Sequence, residues 1–113
     1  LEEYREKLKE RIKVLSADLE LDDTRLLQET AIYADRSDIS EELTRLDSHL
    51  IQFLKLTRNS NSPIGRKLEF IIQEINREIN TIGSKSNDFD VSQAVIEIKT
   101  TLEKIREQLQ NIE

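Results

Sequence analysis

The stretch Val91–Ile112, VSQAVIEIKTTLEKIREQLQNI, decides the fold. Its apolar residues Val91, Val95, Ile98, Leu102, Ile105, Leu109 and Ile112 are spaced four, three, four, three, four, three. That rhythm keeps one apolar seam on a helix and matches no strand, whose faces alternate every second residue. A helix with such a seam must bury it against another helix, in an antiparallel bundle within the chain or in a coiled coil with a second copy.

Working outward, the preceding turn is Ser84–Asn87, with the last helix starting near Asp88. Before it, Leu68, Ile71, Ile72, Ile75, Ile79 and Ile82 fall within an arc of about 100°, one core-facing stripe. Ser62–Pro63 opens this helix, with Ser as N-cap and Pro at the first helical position. Gly83 closes it as a residue just past the helix end. Thr57–Ser62 reads as a polar loop. Further back, Ile32, Ile39, Leu46 and Phe53 repeat at seven, with Leu43 and Leu50 between them. The spacing predicts a helix over 23–56, with a break or kink near Arg36–Asp38 where Asp38 and Glu41 form a capping box. Leu1, Tyr4, Leu8, Ile12, Leu15 and Leu19 predict a first helix over 1–20, and Asp22 a cap for the next. The fold expected is all-α: an elongated antiparallel helical bundle, coiled-coil-like, of about four helices over roughly 1–20, 23–56, 63–82 and 88–113.

Composition agrees. Charged residues make up 35 % of the 113 and aromatics 4 %, with two Gly and one Pro, too few turn and β-forming residues for a sheet. There is no Cys, so disulfide, thiol and cysteine-metal chemistry are excluded. The apolar runs are too short for a membrane span. The chain lacks Met. It reads as one helical domain, 1–113, cut from the C-terminal side of a longer polypeptide whose N-terminal domain is absent.

The net charge of −6 disfavours general nucleic-acid binding. Its distribution says more. From Lys55 to Lys85 six basic residues (Lys55, Arg58, Arg66, Lys67, Arg77, Lys85) stand against three acidic ones (Glu69, Glu74, Glu78), a net of +3, while the remainder carries −9. On the third helix, Glu74, Arg77, Glu78, Thr81 and Lys85 share one face, and Glu69, Gln73, Asn76 and Asn80 form a second polar strip. Carboxylates at i, i+4 such as Glu74 and Glu78 can share Mg²⁺ or Mn²⁺. Arg77 and Lys85 could hold a phosphate or stabilise charge developing on it. His49, the only histidine, could serve as base or ligand. The competing reading is a solvated helical face with weak pairing, about 0.2–0.5 kcal/mol per pair. Asn76 and Asn80 cost helix propensity, which suggests a use for their amides. Glu29, Asp35, Asp38 and Glu42 read as a solvated or inter-subunit acidic strip.

The runs LDDTRLLQE (21–29), ADRSDISEELTRLDSHLIQF (34–53), GRKLEFIIQEINREINTIGSKS (65–86) and IREQLQNIE (105–113) resemble the C-terminal helical domain of the YicC-like proteins. The family pattern usually has Asp, Met and Ala where this chain has Glu69, Ile75 and Ile79. The resemblance implies a bacterial cytoplasmic protein with an N-terminal α/β domain before this one. It also implies endoribonuclease activity helped by a divalent metal, and a ring-like homo-oligomer. Its matching positions are His49, Arg66, Gln73, Glu74, Arg77, Glu78, Asn80, Thr81, Ser84 and Lys85. On the reading that follows, His49, Glu74, Glu78, Arg77 and Lys85 are the catalytic set, and Glu74 and Glu78 hold Mn²⁺ or Mg²⁺. Arg66, Lys67, Gln73, Asn80, Thr81 and Ser84 contact RNA. The expected partners are RNA, the chain's own N-terminal domain and further copies of itself, with no membrane. The alternative is a structural, oligomerising helical module with no chemistry of its own.

Overall fold

In the computed structural model the described residues form four helices, with one short 3₁₀ turn between the first two. The structure describes residues 2–32, 36–59 and 65–112. Helix α1 is Glu2–Ala31, α2 is Ser40–Asn59, α3 is Gly65–Lys85 and α4 is Phe89–Ile112, with Arg36–Ile39 forming the 3₁₀ turn. The described residues contain no strand, so the all-α expectation holds.

The bundle measures 51 × 20 × 17 Å. Helix α1, with 30 residues, is roughly 45 Å long at ~1.5 Å per residue and sets the long axis. It runs antiparallel to α4: Asp22 meets Thr101, and Arg25 meets Glu97 one turn back along α4. Helix α2 runs antiparallel to α3, with Glu42 opposite Lys85 and Arg45 opposite Glu78. Arg58 reaches Glu20, tying α2 to α1 at 2.9 Å.

The core lies where the seams predict it. Val91, Val95, Ile98, Leu102, Ile105 and Leu109 are buried, as are Leu68, Ile71, Ile72, Ile75, Ile79 and Ile82. Leu43, Leu46, Leu50 and Phe53 face them from α2. Both seams therefore close on one another within the chain. Burying a Leu or Ile side chain contributes about 1.5–3 kcal/mol. Asp88 caps α4, its Oδ1 accepting from Val91 N at 3.0 Å.

The boundaries differ in four places. Helix α1 does not end at residue 20 but continues through Asp22 and Asp23 to Ala31. Leu19 and Leu26, seven apart and both buried, carry its stripe across the two Asp residues, and this packing overrides their weak helix propensity. Asp22 is no cap; it accepts the Thr101 hydroxyl at 2.6 Å. The helix expected over 23–56 is divided, as the capping box suggested, by the turn Arg36–Ile39. Ile32, past the end of α1, is 76 % exposed instead of lying in the seam. Residues 57–59 are helical, not loop. Helix α3 runs through Gly83 to Lys85, and Gly83 has no positive φ. The expected cap at Ser62–Pro63, and Asp35, lie outside the described residues.

Candidate functional site

Along α2, Glu42, Arg45, His49 and Gln52 step by three, four and three, a polar stripe beside the apolar seam. Helix α3 answers with Lys85, Glu78, Glu74 and Lys67 in the antiparallel order. The stripe makes a ladder across the α2–α3 joint. At one end Lys85 Nζ donates to Glu42 Oε1 at 2.6 Å and to the Asp38 carbonyl at 3.0 Å. Next, Arg45 Nε donates to Glu78 Oε2 at 2.9 Å. His49 Nε2 stands 3.9 Å from the same Glu78 oxygen. Glu74 follows, 3.7 Å from Arg77 Nη1.

Beside His49 an open groove of about 620 Å³ lies between the two helices, lined by His49, Gln52, Lys55, Leu56, Arg66, Lys67, Phe70, Ile71 and Glu74. Its charges are three cations and one carboxylate, so it is basic in a chain that is acidic. Buried Ile71 and half-buried Leu56 contribute apolar surface, and Phe70 stands 62 % exposed.

Two carboxylates are buried in the ladder. Glu78 retains 5 % side-chain exposure and Glu42 the same. Burying a charge is costly unless it is paired, and Arg45 and Lys85 supply those partners. The Lys85 hydrogen bond holds the Glu42 carboxyl below its usual range, against the upward push of burial. Glu42 Oε2 has no hydrogen-bond partner.

The structure brings some expected site residues together and separates others. His49, Glu74 and Arg66 with Lys67 meet at the groove, and Glu78 adjoins His49. Lys85 does not join them. It lies eleven residues beyond Glu74, roughly 16 Å along the helix, engaged by Glu42 and Asp38. Gln73, Asn80 and Ser84 are exposed and lie outside the groove lining, and Asn76 is half-buried. The Thr81 and Ser84 hydroxyls turn back onto the carbonyls of Arg77 and Thr81. Glu42 is not part of a solvated strip but a buried partner of Lys85. Arg45, Gln52 and Phe70 were not singled out in the sequence, and Lys55 entered only as a member of the basic island. The heptad-like stepping of the α2 stripe is the signal that carries Arg45 and Gln52. Nothing in local spacing marks Phe70.

Among the described residues no group of three or more His, Asp or Glu side chains converges to hold a metal ion. Glu78 accepts from Arg45, and Glu74 is the more accessible of the two carboxylates, at 22 % exposure. One carboxylate with waters and a substrate phosphate is an ordinary shell for Mg²⁺. Glu74 fits that arrangement; a site shared equally by Glu74 and Glu78 would require Arg45 to yield.

The family model described as endoribonuclease YicC-like, C-terminal, matches residues 1–113, the whole chain. The chain belongs to the YicC-like C-terminal domain family. A probable endoribonuclease YicC of Clostridioides difficile (strain 630) is 56 % identical over 114 residues, covering all of this chain and 39 % of that protein. The probable endoribonuclease YicC of Haemophilus influenzae is 41 % identical over 113 residues, covering all of this chain and 38 % of its own length. The chain thus spans about two fifths of these relatives. In this YicC-like domain the run 65–86, which carries the resemblance most specifically, is α3 and the residue after it. That helix supplies one wall of the groove and half of the ladder. No described helix is long and apolar enough to cross a membrane.

Proposed function

We propose that this YicC-like domain contributes the RNA-contacting surface and proton-transfer groups of a cytoplasmic, metal-assisted endoribonuclease. The observation that carries this reading is the basic groove ending on the His49–Glu78 pair. A phosphate backbone entering between Arg66 and Lys67 would be neutralised there and led toward His49. Lys55 lines the same groove from α2.

His49 is the base. Its imidazole takes the proton from the attacking hydroxyl, and the Glu78 carboxylate 3.9 Å from its Nε2 helps to orient the ring. Arg45 holds Glu78 in place through its hydrogen bond. Arg77, 73 % exposed in its side chain, stabilises the charge that builds on the phosphoryl oxygens. Glu74 would hold a divalent cation, Mn²⁺ or Mg²⁺, and Glu78 would join it only if Arg45 yielded. Such an ion would supply charge neutralisation at the scissile phosphate. Gln73, Asn80, Thr81 and Ser84 extend the RNA-facing surface along α3. Lys85 acts at a distance as a positioning residue, holding Glu42 and the 3₁₀ turn.

The test is cleavage of RNA by the full-length protein with His49→Gln. Loss of a general base lowers the rate by about 10²–10⁴. Cleavage at the native rate would place the base elsewhere.

A second reading, assembly, is favoured by one observation. Val14 and Leu21 on α1, seven residues apart, are 61 % and 69 % exposed. A second copy of the chain would cover them. Sedimentation of the full-length protein with Val14→Glu and Leu21→Glu tests this: a smaller mass supports assembly through α1, an unchanged mass refutes it.

A further inference from the structure

We infer that Phe70 is a stacking platform for an unpaired RNA base, so that the groove takes single-stranded rather than duplex RNA. The inference rests on the RNA-contacting reading above and specifies the form of RNA.

The case begins with what Phe70 does not do. Helix α3 buries Leu68, Ile71 and Ile72 on either side of it. Phe70 falls off that arc, and it contributes little to the core with 62 % of its surface exposed. Phenylalanine has no polar atom to reward exposure, so a ring left there loses the burial it could have had.

Its neighbours decide what it fits. Phe70 lines the groove together with Arg66, Lys67 and Lys55. Arg66 lies one helical turn before it, on the same side of α3. An aromatic face flanked by cations suits a planar, anionic polymer: a base lies on the ring and its phosphates meet the ammonium and guanidinium groups. An acidic or purely apolar protein segment would use only one of these features. Double-stranded A-form RNA keeps its base faces stacked inside the helix, and Phe70 cannot reach them. Gln52 in the lining adds an amide for a base edge.

The experiment is equilibrium binding of the full-length protein to a fluorescent unstructured oligoribonucleotide and to a hairpin duplex of the same composition. Three forms are compared: wild type, Phe70→Leu and Phe70→Trp. Leu keeps apolar bulk and loses the π-face; Trp keeps and enlarges it. The expected result is a single-strand affinity weakened roughly five- to a hundredfold by Phe70→Leu, as loss of one base–aromatic stack gives. Phe70→Trp should retain or improve it, and duplex affinity should not change. Equal single-strand affinity in Phe70→Leu and wild type overturns the inference while leaving RNA binding itself intact. Equal weakening for strand and duplex also overturns it. A change in sedimentation without a change in RNA affinity overturns it in favour of a protein partner on Phe70. Absence of RNA binding by the wild type removes the functional reading together with this one.

Discussion

Arg45 Nε donates to Glu78 Oε2 at 2.9 Å, joining α2 to α3 across thirty-three residues of sequence. Arg45 is about half exposed and Glu78 almost wholly buried. The two ends of the bond therefore face different costs. Removing Arg45 leaves a buried carboxylate without its main cation; removing Glu78 leaves an arginine that water can solvate. Arg45→Ala should lower the melting temperature more than Glu78→Gln does. The double variant should be more stable than Arg45→Ala alone, because the orphaned charge is gone. Thermal melts of the four proteins form the cycle that checks this.

Asp23 is the opposite case. Burial pushes its carboxyl up to about 6 from 3.8, and Asp47 and Glu20 add to the push. Its Oδ1 has no hydrogen-bond partner. A raised folded pKa means that the native state binds the proton more tightly. The associated stability is present below pH 3.8 and is lost as pH rises through about 6. At neutral pH the charge costs on the order of 2–3 kcal/mol. Asp23→Asn should therefore stabilise the protein at pH 7, and the gain should vanish by about pH 4. Urea titrations at the two pH values measure it.

Glu42 responds to pH with the other sign. Lys85 holds its carboxyl below the ordinary 4.5. The stability it contributes is present above that value and is lost as pH falls through the lowered folded pKa. Lys85→Met removes the partner and the bond to the Asp38 carbonyl together. It should destabilise the protein at neutral pH, and less so in acid, where Glu42 is protonated. The same titrations on Lys85→Met test this.

Gly83 shows a local signal misread for physical reasons. A glycine near a helix end, before a polar turn, suggests a left-handed residue just past the end of the helix. Here the helix continues two residues further and Gly83 keeps a helical backbone. A Cβ at this position would stand 3.6 Å from Val95 Cγ1, an ordinary contact. Gly83→Ala should stabilise the protein by about 0.5–1 kcal/mol, the helix-interior difference between the two residues. A loss of stability in urea unfolding would show that the α3–α4 contact has no room for the added methyl.

How much of this was legible in the sequence depends on the range of the interaction. The seams at Leu68–Ile82 and Val91–Leu109 are periodic, and every residue in them is buried. Periodicity is a local record of which face meets the core, so it survives in a bare sequence. Continuity of α1 through Asp22–Asp23 was not legible, because two residues with weak helix propensity look like a boundary until Leu26 and Thr101 are packed against that turn. The candidate site divides the same way. Arg66, Lys67, Glu74 and Glu78 could be named from the charge island and helical spacing. The pairing of Glu78 with Arg45, of Glu42 with Lys85, and the exposure of Phe70 depend on how α2 meets α3. No local spacing encodes that.

The central claim is that the groove between α2 and α3 carries RNA, and salt tests it most directly. The affinity of the full-length protein for an unstructured oligoribonucleotide is measured over a range of salt concentrations. Wild type is compared with Arg66→Gln/Lys67→Gln. Each phosphate contact on a single strand contributes about −0.7 to the slope of log affinity against log salt. The account predicts a slope shallower by roughly 1.4 in the double variant, with weaker binding at low salt. An unchanged slope and an unchanged affinity would contradict it.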